Sequence, residues 1–158
     1  LKESALALAW QGLVGVGALR LTATSRTPSG WNGSGQGRVV VQAPSAQVLV
    51  FAESGWWTSA SGARFAFRNA YRWTLWPQTL CLEHLRQGAD HPVFLLDLVP
   101  SSDARLRERA PHICGADRYH AALCLEGDLL YLTWTIKGPS KDEEVRCVYA
   151  PGEPFETS

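Results

Sequence analysis

Apolar and polar residues alternate along most of this chain with the two-residue period of a β-strand. Leu19, Leu21 and Ala23 alternate with Arg20, Thr22 and Thr24, which predicts a strand with one buried face. Val39-Val40-Val41 and then, past Ala43-Pro44-Ser45, Val48-Leu49-Val50-Phe51 predict a hairpin. Arg64-Phe65-Ala66-Phe67-Arg68 and Tyr71-Arg72-Trp73-Thr74-Leu75-Trp76 predict two more strands. Residues 79–85, 93–98, 119–125, 129–137 and 144–149 continue the pattern, with Glu126-Gly127-Asp128 as one of the turns. The count is about nine or ten strands.

Three stretches break the alternation. Leu6, Trp10 and Leu13 recur at helical spacing behind a capping Ser4, predicting a short N-terminal helix that ends at Gly12 or Gly15. The Pro-, Ser-, Asn- and Gly-rich segment from Thr27 to Gly37 reads as a loop, and Trp56-Trp57 as turn-like after Gly55. Ser102 or Asp103 is placed to cap a brief helix over Ala104-Arg105-Leu106-Arg107-Glu108-Arg109, which Pro111 would end.

So many short strands must stack as a sandwich or close on themselves, and closure alone removes exposed sheet edges. The expected fold is therefore all-β, a single antiparallel up-and-down barrel of about nine or ten strands with a short N-terminal helix. The 158 residues suit one domain, divided into a helix over 1–13, a barrel over 14–150 and a tail over 151–158.

Composition narrows the function classes. Apolar residues make up 46% and charged ones 19%, and fifteen basic side chains cancel fifteen acidic ones, so neither disorder nor electrostatic grip on nucleic acid is suggested. The opening stretch from Leu1 to Leu13 lacks an apolar run of membrane-spanning length and is a poor secretory signal, which favours a cytoplasmic location. Four cysteines, Cys81, Cys114, Cys124 and Cys147, are read as free thiols, since a chain this apolar needs no staples. No C-x-x-C occurs, and His112, Cys114, His120 and Cys124 are spaced too loosely for a metal site, so none is expected. The glycines at 33, 35 and 37 precede a strand and not a helix, so they make no phosphate loop.

Candidate chemistry lies in a few places. His112, Asp117 and Tyr119 fall within eight residues, and a carboxylate that fixes an imidazole tautomer is what acid–base work needs. The plainer alternative is a hydrogen-bonded turn entering the strand near Tyr119. Tyr71, Trp73, Trp134 and Tyr149 supply inward-facing aromatic surface, while Arg72 is a buried cation if it points inward and routine surface if outward. The same question applies to Arg146, and Lys141 follows the turn Gly138-Pro139-Ser140, where it would close a rim. Of the seven tryptophans, Trp56 and Trp57 form the pair most suited to a partner surface or a pocket mouth.

Two C-terminal blocks carry a resemblance. His112-Ile113-Cys114-Gly115-Ala116-Asp117-Arg118-Tyr119 reads H-x-C-x-x-D-x-Y, and Trp134-Thr135-Ile136-Lys137-Gly138-Pro139-Ser140-Lys141-Asp142 reads W-x-x-x-G-P-x-K-D. With Gly33-Ser34-Gly35-Gln36-Gly37, Tyr71-Arg72-Trp73 and Tyr149, the chain from Val14 to Ala150 resembles a bacterial and fungal family of uncharacterised, lipocalin-like domains. The resemblance implies a small antiparallel barrel of calycin type and no known activity. The chain departs from the pattern at Val16-Gly17-Ala18 and at Glu143, where aromatic residues are expected. Trp31-Asn32-Gly33-Ser34-Gly35 is more distantly similar to haem-holding barrels of the nitrobindin kind.

Three functions follow as expectations. The first is a non-enzymatic barrel binding a small acidic or amphipathic molecule through Tyr71, Arg72, Trp73, His112, Asp117, Tyr119, Trp134, Lys141 and Tyr149. The second is an enzyme with His112 as acid or base, oriented by Asp117 and assisted by Tyr119 or Lys141. The third is an interaction module presenting Trp56 and Trp57. A small molecule is the expected partner, without nucleic acid, membrane or cofactor, and self-association is left open.

Overall fold

A computed structural model describes residues 4–28, 31–102 and 104–152. The helix α1 (Ala5–Val14) leads into β1 (Val16–Ser25), β2 (Gly33–Ser45), β3 (Val48–Ser59) and β4 (Arg64–Leu75). There follow β5 (Leu80–His84), β6 (Val93–Ser102), β7 (Arg105–Glu108), β8 (His112–Cys114), β9 (Asp117–Glu126), β10 (Leu129–Lys137) and β11 (Asp142–Pro151). The hydrogen-bonded order is β10-β11-β1-β2-β3-β4-β5-β6-β7-β9, and pairing of β10 with β9 closes the ring. Among the described residues, ten strands thus form a closed antiparallel barrel, with β8 attached only to β9. Closure gives each of the ten a hydrogen-bonded neighbour on both sides along at least part of its length, so the backbone donors and acceptors of the paired stretches are met within the ring.

The alternation sorts side chains between two faces. Leu49, Phe51, Glu53 and Trp57 of β3 are buried, whereas Ala52, Ser54, Trp56 and Thr58 are exposed. Leu130, Leu132 and Ile136 on β10 and Ala121 and Leu123 on β9 are likewise buried, and Lys137 is exposed.

One half of the barrel is packed solid. Leu19, Leu49, Phe51, Trp73, Leu80, Leu82, Leu96, Leu98, Leu123 and Leu130 form a continuous core there. Each such side chain, fully withdrawn from water, contributes roughly 1.5–3 kcal/mol. The helix α1 plugs this end. The Ser4 hydroxyl accepts from the Ala7 N–H at 3.1 Å, as the sequence predicts, and the helix ends at Gly15, the later of the two ends the sequence offers. Its buried stripe of Leu6, Ala9 and Leu13 packs against β6, β7, β9 and β10.

The structure overturns four local expectations. Residues 105–108 form strand β7 and not a helix, because Leu106 alternates with Arg105 and Arg107 and the ring needs a strand between β6 and β9. Asp103, one of the two proposed caps, lies outside the described residues. Gly33 to Gly37 belong to β2 and not to a loop. The glycines serve close approach: a Cβ on Gly37 would lie 2.0 Å from the Ser54 carbonyl, and one on Gly55 2.1 Å from that of Gln36. Trp56-Trp57 sits inside β3, and residues 64–75 make one long strand where two were expected.

Among the described residues no helix is long and apolar enough to cross a membrane. All four cysteines are unpaired, with Cys147 buried and Cys114 exposed.

Candidate functional site

Beyond the packed half, the barrel is hollow. A chamber of about 370 Å³ is lined chiefly by Leu21, Tyr71, Trp73, Leu132, Trp134 and Tyr149, and it reaches the barrel end where His84, His112 and Tyr119 stand. Its position follows from register. Val145, Cys147 and Tyr149 descend one wall on β11, while Asn69, Tyr71 and Trp73 descend the opposing wall on β4.

Glu53 is the group that most distinguishes this chamber. It faces inward because it shares a strand face with Leu49 and Phe51, and only 4% of it is exposed. The Tyr149 hydroxyl donates to Glu53 Oε2 at 2.5 Å, from the far side of the sequence. Burial pushes the Glu53 carboxyl up to about 7, an effect that the Tyr149 hydrogen bond partly offsets. Burial, then the nearby Glu53 carboxylate, also raises the Tyr71 phenol and the Cys147 thiol, so both remain neutral donors at neutral pH. Tyr149 is raised by burial and by the neighbouring Cys147 and Glu53. Among the described residues, the buried indole N–H of Trp73 has no hydrogen-bond partner.

The rings form layers. Phe51 stands edge-on to Tyr149 at 5.4 Å and tilted to Trp73 at 6.0 Å, which fixes the floor of the chamber. Tyr71 stacks on His84 at 4.8 Å, closer to the opening. Burial and the adjacent Arg86 lower the His84 imidazole, which favours its neutral form.

The residues picked out from the sequence divide into three groups. Tyr71, Trp73, Trp134 and Tyr149 line the chamber, and His112 and Tyr119 line it nearer the rim, paired across β8 and β9 with ring centroids 5.7 Å apart. Asp117 and Lys141 meet each other at the rim, 3.4 Å apart, where the Asp117 carboxylate also lies against Gly138. The neighbouring Tyr119 first, and then the Asp117 hydrogen bond, hold the Lys141 ammonium above its usual range. Asp117 is therefore engaged with Lys141, whereas His112 packs on Tyr119. Arg72 lies outside the chamber: its Nε donates to Glu83 Oε1 at 2.8 Å on the outer face.

Glu53, Asn69, His84, Arg86, Cys114 and Cys147 also line the chamber and are not among the ligand residues expected from the sequence. The signal for Glu53 was present, since an acid stands two and four residues beyond Phe51 and Leu49. Both faces of Val48-Leu49-Val50-Phe51 are apolar, however, and alternation alone does not say which turns inward.

The outer surface carries a separate polar groove of about 760 Å³, edged by Arg105, Arg107, His120 and Arg146. Glu108 neutralises part of it, bonding His120 Nδ1 at 3.0 Å and accepting the Ala121 N–H at 3.1 Å. Among the described residues no group of His, Cys, Asp and Glu is arranged to hold a metal ion.

Residues 16–151 match the model of a family described as a family of unknown function, DUF6314. Among solved structures, the chain is similar to one titled "Structure of EF1p2_mFAP2b bound to DFHBI", at 12% identity and a TM-score of 0.43, covering 90% of this chain and 98% of that one. It is also similar to one titled "Structure of a redesigned beta barrel, mFAP1, bound to DFHBI", at 11% identity and a TM-score of 0.42, covering 87% and 96%. No curated protein matches the sequence.

Proposed function

The chain belongs to the DUF6314 family of unknown function, and on that premise we propose that it is a non-enzymatic binding protein holding one small amphipathic molecule in the hollow half of its barrel. The chamber carries this reading: about 370 Å³ of space walled by tryptophan, tyrosine and leucine with a few polar groups. Small-molecule sites have this character, with volumes of roughly 300–1,000 Å³. A barrel without a ligand has no physical need of such a hollow, since a cavity forfeits the packing that the other half of the same barrel retains. The calycin-type likeness rests on the His112–Tyr119 and Trp134–Asp142 blocks, and a cytoplasmic site of action fits the four free thiols.

The other two readings have less support. An acid–base site needs its carboxylate on the imidazole, whereas Asp117 is engaged with Lys141. Trp57 is buried, and the Arg64 guanidinium covers the Trp56 ring at 4.4 Å, leaving less of the pair for a partner.

Native mass spectrometry of gently purified protein tests the proposal, together with quenching of the chamber tryptophans by benzamide. The expected result is a bound small molecule or saturable quenching, both lost in Leu132→Trp, whose ring fills the chamber. Neither signal in the wild type, or equal signals in the variant, overturns it.

A further inference from the structure

We infer that the chamber prefers a ligand whose inner end is a cation or an N–H donor, of the amidinium or amine class, over an acid of the same shape. This rests on the binding reading above and deepens it. The carrying observation is a buried carboxylate that faces a cavity and has no counter-ion. Glu53 lines the chamber, and among the described residues no lysine, arginine or histidine pairs with it. Its one side-chain hydrogen bond among those residues uses Oε2, from Tyr149, which leaves Oε1 for a ligand.

Three basic side chains are held elsewhere. Arg72 is engaged with Glu83 on the outer face, Arg109 with Asp97, and Lys141 with Asp117 at the rim. Arg86 and His84 line the chamber, and among the described residues no cation pairs with Glu53. An acidic ligand with its charge at the inner end would therefore meet Glu53 across a low-dielectric gap. The preference for an acidic ligand that the sequence suggests requires Arg72 to point inward, whereas Arg72 pairs with Glu83.

A donor or cation reverses that balance. An unpaired buried carboxylate is costly and is relieved either by a proton or by a positive partner. A planar N–H fork supplies charge and hydrogen bonds together, and the faces of Trp73, Trp134 and Tyr71 favour a cation through their ring quadrupoles. The raised Glu53 carboxyl fits this picture, because burial without a counter-ion favours its protonated form. The groups facing Glu53 whose charge is coupled to it are Tyr149 and Cys147 on β11 and Tyr71 on β4, while His84 and Arg86 also line the chamber.

Three probes of one shape and different charge decide the matter: benzamidine, benzamide and benzoate, titrated by tryptophan fluorescence near pH 8, where Glu53 is ionised. Benzamidine is expected to bind about tenfold or more tightly than benzoate. That ratio should collapse in Glu53→Gln and shrink in the wild type below neutral pH. Equal affinities, tighter benzoate, or an unchanged ratio in Glu53→Gln overturns the inference while leaving the binding reading intact. If no probe binds and Leu132→Trp is indistinguishable from the wild type, the binding reading itself falls. The wild-type ratio requires no substitution, so a folding defect in a variant does not blunt the test.

Discussion

The Tyr149 hydroxyl donates to the Glu53 carboxylate although the two residues lie 96 positions apart. One sits on β11 and the other on β3, and their strands are separated in the ring by β1 and β2. Their bond gives the deeply buried acid of the chamber a neutral partner. The electrostatics of the interior depend on this pair more than on any motif visible as a run of residues.

Stability should fall as pH rises through the Glu53 titration. The folded value of about 7 lies above the ordinary 4.5, so the native state keeps a proton that the unfolded chain releases between those values. The protonated carboxyl's contribution is complete below the ordinary value and is lost as pH passes the folded one, amounting to about 3 kcal/mol. Urea unfolding at pH 5 and pH 8 should show this loss in the wild type, with most of it absent in Glu53→Gln. Parallel pH dependences in the two proteins would refute the buried-acid account.

Arg72→Met should leave the chamber untouched. Its ion pair with Glu83 is partly solvent-exposed, with 27% and 18% of the two side chains accessible. Exposed or half-exposed pairs contribute about 1 kcal/mol or less. Denaturant unfolding should register a change of that size, and the affinities of the three probes should match the wild type. A loss of probe binding would mean that Arg72 reaches the interior.

Leu13→Ala should weaken the plugged end. Leu13 is fully buried on α1, where it joins the packed core. Removing such a side chain costs about 2–5 kcal/mol, the larger values arising where neighbours cannot collapse into the space. Chemical denaturation measures this directly, and an effect below about 0.5 kcal/mol would show that the helix is not part of the core.

Much of the fold was legible because it is written in short-range pattern. Period-two alternation placed the strands around Leu19, Leu49, Trp73, Leu123 and Leu132, and Ser4 and Gly15 marked the ends of α1. The misreadings share one cause. At Ala104–Arg109 a single apolar residue, Leu106, fits a helix or a strand equally well, and only the neighbouring β6 and β9 require the strand. The glycines from 33 to 37 look like loop residues until β3 is laid against them.

The site was legible in part for a related reason. Tyr71, Trp73, Trp134 and Tyr149 announce inward aromatic faces by their own alternation. His112 and Asp117 are close in sequence, yet Lys141 arrives from the turn between β10 and β11 and takes the carboxylate.

The chain's own order of residues determined that it would form many two-faced strands and a capped helix, since steric and hydrophobic preferences act over a few neighbouring positions. Tertiary structure alone decided that Glu53 turns inward, that Arg72 turns outward to Glu83, and that one half of the barrel stays open. Those outcomes depend on which strands become neighbours and in what register, and ring closure joins residues too far apart along the chain for local pattern to relate them.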